Sequence, residues 1–67
     1  MIKVIVLETS LADDHKHVKV IFGELGGTRT WEKAYRRSEL PEWKIGALYS
    51  YHFHLYEHEE GDFDVVF

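Results

Sequence analysis

Residues 17–36 read HVKVIFGELGGTRTWEKAYR, two runs of β-branched and aromatic residues on either side of Gly26-Gly27. A Gly-Gly pair between two such runs is the sequence mark of a two-residue β-hairpin with a turn of the primed type. Folded about that pair, the stretch sets Phe22 opposite Trp31, Val18 opposite Tyr35 and Glu24 opposite Arg29. Apolar and opposite-charge pairs of this kind stabilise a sheet. A helical turn over 31–37 competes, since Trp31, Ala34 and Tyr35 share a helical face and Glu32 stands one turn before Arg36. The cross-strand pairs favour the strand.

On the N-terminal side, IKVIVLE at 2–8 reads as a strand and TSLADDHK as the loop that ends it. On the other side, SELPEWKIG reads as a helix of at most two turns, with Ser38 as its cap, Pro41 in its first turn and Gly46 at its end. From Ala47 the period becomes two. Ala47, Tyr49, Tyr51, Phe53 and Leu55 fall on one face, and Leu48, Ser50, His52, His54, Tyr56 and His58 on the other. If Glu59-Glu60-Gly61 is a three-residue loop with Gly61 left-handed, Phe53 faces Phe67, Leu55 faces Val65 and His58 faces Asp62. A two-residue loop would set Glu57 against Asp64. The expected fold is therefore α+β and strand-rich: a single domain over 1–67 with an antiparallel sheet of four or five strands and one short helix. A small, partly closed β-barrel is the alternative.

A chain of 67 residues buries only about 60% of the surface its unfolded form exposes. Its hydrophobic share of 45% and aromatic share of 15% still place it among ordered globular domains. The absence of Cys removes disulfides and thiolate zinc sites, leaving His, Asp and Glu as the metal ligands. No apolar run reaches the roughly 18 residues of a membrane span and no signal-peptide pattern opens the chain, so a soluble cytoplasmic protein is expected. The net charge of −4 is unevenly spread: all eight Lys and Arg precede residue 45, while residues 45–67 carry five acids and no Lys or Arg.

The segment YHFHLYEHEE at 51–60 holds the first candidate site. His52 and His54 stand roughly 7 Å apart on one strand face, a spacing at which two imidazoles share an ion such as zinc. His58 lies roughly 13 Å beyond His54 and cannot join them. Further ligands would come from Asp13, Asp14, His15 or His17, provided the first loop folds over that face. Gly46, His52, His54 and Glu59 resemble in spacing the first metal motif of cupins. The downstream glycine and the second motif have no counterpart here, so nothing is carried over from that family.

For catalysis the chain offers no nucleophile motif and no phosphate-binding glycine loop, and a domain of this size has little room for a pocket. It is expected not to be an enzyme. Arg29, Trp31, Lys33 and Tyr35 on one strand face have the alternation of base and aromatic used to stack single-stranded nucleic acid. The acidic net charge argues against it. A protein-interaction module is the reading the residues favour. Leu48, His52, His54 and Tyr56 would form an amphipathic face and Glu57, Glu59, Glu60 and Asp62 an acidic hairpin that meets a protein with a basic surface. In size and character this is analogous to the small inhibitors and adaptors of phages and other mobile elements. The thin core makes a homodimer through the even-numbered face the expected assembly.

Overall fold

The computed structural model describes residues 1–67, except for the side chain of Lys44. Five strands, β1 (Ile2–Leu11), β2 (His17–Glu24), β3 (Thr30–Arg36), β4 (His52–Glu57) and β5 (Phe63–Val66), form one antiparallel sheet in the order β3-β2-β1-β4-β5. One short helix, α1 (Glu42–Ala47), lies between 3-10 turns at Arg37–Glu39 and Leu48–Ser50. The molecule is thus a small α+β domain whose sheet curls into a half-barrel.

The β2–β3 register is the one the Gly-Gly reading sets, with Phe22 opposite Trp31 and Val18 opposite Tyr35. Arg29 pairs with Glu24 through its side chain at 3.0 Å, and its carbonyl accepts from the Glu24 N–H at 2.9 Å. The turn itself differs from the primed type. The Gly27 N–H closes it onto the Glu24 carbonyl, so Leu25 and Gly26 are its central residues and only Gly26, at φ +79°, is left-handed. A positive φ at the second central position is the type II arrangement. The second hairpin follows its expected register throughout: Leu55 faces Val65, His58 N–H donates to the Asp62 carbonyl, and Gly61 sits at φ +81°.

Curvature begins at Leu7. The register between β1 and β2 slips there, so that Val4 and Val6 before it and Thr9 and Leu11 after it stand opposite Glu24, Phe22, Val20 and Val18. An inserted residue of this kind bends a strand and increases its twist. Leu7 itself turns outward across Gly23, where an added Cβ would lie 2.7 Å from a Leu7 methyl carbon. The concave face gathers Val4, Val6, Val18, Val20, Phe22, Tyr35, Phe53 and Leu55, and Leu40 and Leu48 enter the same core from either side of α1.

The two sheet edges approach one another through side chains. From β3, Lys33 Nζ donates to the Phe63 carbonyl at 2.9 Å and reaches Asp64 at 3.5 Å, while Arg29 pairs with Glu57 at 3.3 Å. Tyr35 meets the Phe67 ring edge-on at 5.2 Å between centroids, and Phe67 packs against Phe53.

Two local expectations fail around α1. Ser38 lies in the 3-10 turn, Pro41 holds the N-cap position without a side-chain cap, and Gly46 lies inside the helix. The strand predicted from Ala47 begins only at His52, since 48–50 continue as a 3-10 turn. Leu48 is therefore not on the His-Tyr face: it is fully buried. Burying an apolar side chain of this size stabilises a core as small as this one.

Candidate functional site

β4 places its side chains by strict alternation. Phe53 and Leu55 face the core, and His52, His54 and Tyr56 face solvent on the convex side. Neighbouring strands complete that side: His54 stands between Lys3 of β1 and Val66 of β5, and His52 stands opposite Ile5. Leu7, Tyr56 and Val66 are each exposed by about half their surface. Leu40 and Leu48, on either side of α1, are buried in the core on the opposite, concave side. Among the described residues, His52, His54 and Tyr56 make no side-chain hydrogen bond, ion pair or ring contact.

The acidic hairpin divides into two parts. Glu57 is held by Arg29, and Asp64 by His58 at 2.8 Å and by Lys33. The His58 hydrogen bond, seconded by Lys33, keeps the Asp64 carboxyl below the ordinary aspartate value. Two of the five acids that crowd this hairpin are thus offset by cations of β3, distant in the chain and adjacent across the curl. At the tip, Asp62 Oδ1 accepts from the Phe63 N–H at 2.8 Å. Glu59 and Glu60 carry no ion pair among the described residues and project as the free acids of the hairpin.

The expected metal ligands do not converge. The loop carrying Asp13, Asp14, His15 and His17 turns toward the end of β3, where the Arg37 N–H donates to the Lys16 carbonyl. Asp14 is occupied by the Lys16 and His17 N–H groups and by His17 Nδ1 at 2.6 Å, and these bonds hold its carboxyl below the ordinary value. Among the described residues no group of three or more His, Asp or Glu is close enough to hold an ion. The β3 stacking platform is not formed either. Tyr35 is buried, Trp31 and Lys33 are half-buried on the concave side, and Arg29 is engaged by Glu24 and Glu57.

Two features escape the sequence reading. Trp43, Tyr49 and Tyr51 are exposed around α1, with Trp43 edge-on to Tyr51 at 5.5 Å and the Tyr49 hydroxyl 3.2 Å from that of Thr9. Alternation from Ala47 sets both tyrosines on the face of Phe53 and Leu55, which the structure buries. The second is an open cleft of 510 Å³ lined by His15, Lys16, His17, Arg36, Arg37 and Ser38, larger than a chain this short leads one to expect. Its signal was present in the hairpin register, which sets His17 opposite Arg36 and so joins the two short basic runs. Among the described residues no helix is long and apolar enough to cross a membrane. Compared with known proteins, the chain matches no protein-family model, no curated protein and no solved structure.

Proposed function

We propose that this protein is a non-enzymatic interaction module that binds another protein through the convex face around His52, His54 and Tyr56, with Glu59 and Glu60 steering a basic partner surface toward it. The observation that carries the reading is the unpartnered state of those three side chains beside exposed Leu7 and Val66. Tyr and His combine an apolar body with a polar tip, which suits a face that is wet when free and covered when bound. Of the other exposed aromatics, Trp43, Tyr49 and Tyr51 already contact one another or Thr9, and Phe67 packs against Tyr35 and Phe53, so they have less to gain from a partner. Adjacent unpaired acids raise the encounter rate with a cationic surface without adding much affinity.

The test is affinity capture from a lysate of the source organism with wild-type protein and a folded Tyr56→Asp variant as baits, read by quantitative mass spectrometry. A protein with a basic surface, enriched by the first bait and lost with the second, is the expected result. An identical set on both baits would refute the face. Light scattering accompanies it: a mass of twice 7.9 kDa at micromolar concentration, reverting to monomer in the variant, would assign the face to self-association instead.

A further inference from the structure

We propose that the cleft between the β1–β2 loop and the end of β3 binds a phosphate group, carried either by inorganic phosphate or by a small organic phosphate. The described Lys and Arg side chains separate into two sets. Lys19 pairs with Glu32, Arg29 with Glu24 and Glu57, and Lys33 with Asp64. Lys16, Arg36 and Arg37 meet no carboxylate among the described residues, and all three line this cleft. No acid is among its described lining residues, and Asp14, in the same loop, directs its oxygens onto the Lys16 and His17 N–H groups and the His17 ring. A chain of net charge −4 therefore collects uncompensated positive charge in one concavity, where field lines focus and draw anions. Lys3, the other described cation without an ion pair, stands away on the convex face beside His54.

The donors suit a tetrahedral dianion. Two guanidinium groups can donate N–H groups to phosphate oxygens, that of Arg37 while its Nη1 also donates to the His15 carbonyl at 3.5 Å, with the Lys16 ammonium as a point charge and the Ser38 hydroxyl as a further donor. The loop that carries Lys16 is fixed before any ligand arrives. Ala12 N–H donates to the His17 carbonyl at 2.9 Å, His15 N–H to Ala12 at 3.0 Å and Arg37 N–H to Lys16 at 2.9 Å. His15 is held in the left-handed region at φ +58°, uncommon for a residue with a side chain. Such preorganisation lowers the entropy lost on binding. The 510 Å³ of the cleft falls within the range of small-molecule sites and exceeds what one phosphate needs. Its open mouth leaves space for the organic part of a phosphate ester.

The experiment is a two-dimensional NMR titration of the intact chain with inorganic phosphate and with adenosine monophosphate, ionic strength held constant with chloride. Saturable shifts confined to residues 15–17 and 36–38 are expected. The double variant Lys16→Gln, Arg36→Gln should weaken binding by about tenfold or more, since each charged hydrogen bond contributes on that scale. Lys3→Gln should leave it unchanged. Equal affinity for the two probes identifies the phosphoryl group alone as the ligand, and tighter binding of the nucleotide with added shifts at the mouth identifies an organic phosphate. Shifts that do not saturate, or an equal loss in Lys3→Gln, would overturn the site. So would binding that appears only with a polyanion such as an oligonucleotide.

Discussion

Tyr35 shows how a single side chain carries opposed demands. Its ring fills the core beside Val18 and Phe67, yet its hydroxyl is buried without a hydrogen-bond partner. Tyr35→Phe removes the orphan group and keeps the ring, so stability should hold or rise by up to about 1 kcal/mol, whereas Tyr35→Ala should cost about 3–5 kcal/mol. Chemical denaturation of both variants checks this. Burial, then the charges of Asp64 and Glu39, push the Tyr35 phenol up to about 12 from an ordinary 10.0. A native value above the unfolded one means that this contribution is complete below pH 10 and is lost as pH rises through 12. The Phe variant should accordingly lose less stability than wild type in that window. Gly61 makes the complementary point about backbone. Open space surrounds it, but at φ +81° any Cβ is strained; Gly61→Ala should cost about 1–2 kcal/mol, read as a lowered denaturation midpoint. That position was legible in the sequence because a three-residue hairpin loop requires it. The missing partner of Tyr35 was not, since it depends on how far the sheet curls.

Among the elements, the registers of both hairpins were readable, because cross-strand pairs fix them locally, whereas the first turn was not: it is centred on Leu25 and Gly26 instead of Gly26-Gly27. The joining of β1 to β4, with Val4 opposite Phe53, has no local signal and follows from burying both apolar faces together. The Leu7 bulge was equally hidden, although the partly closed barrel given as the alternative fold anticipates the curl that sets β3 beside β5. Segment 47–51 was misread because two-residue alternation cannot distinguish a strand from a short helical turn when a residue such as Leu48 is drawn into the core. Across the resulting seam, Lys33 bridges Phe63 and Asp64 from a side chain that is 30% exposed. Lys33→Met keeps an apolar side chain of similar length and removes the ammonium, which is both the donor and the charge over the Tyr35 and Phe63 rings. It should cost about 1 kcal/mol and speed amide hydrogen exchange in β5 while leaving β1 and β2 unchanged. Equal acceleration throughout the sheet would mean that the seam does not fasten β5.

For the whole molecule, charge is sorted by place: paired across the seam, free and negative at the hairpin tip, free and positive in the cleft. The pairs set the response to acid. Asp14 is lowered chiefly by the Lys16 N–H, Glu24 by Arg29 and Asp64 by His58. Native values below the unfolded 3.8 for Asp and 4.5 for Glu mean that stability is fully present above those values and falls as pH drops through the depressed ones. The urea midpoint should be level from pH 7 to about 5 and decline below about 4, and Asp64→Asn should start lower and decline less. Sequence revealed the acidic end but not its division, because the neutralising Arg29 and Lys33 lie some thirty residues upstream. It follows that Glu59 and Glu60, rather than Glu57 or Asp62, are the acids to reverse in charge. Hydroxyl-radical footprinting of the complex with the captured partner tests the binding face most directly, since it reads side chains one by one. Labelling should fall at Leu7, His52, His54 and Tyr56 and stay unchanged at Trp43 and Tyr49; protection centred on Trp43 and Tyr49, with Tyr56 still fully labelled, would contradict the account.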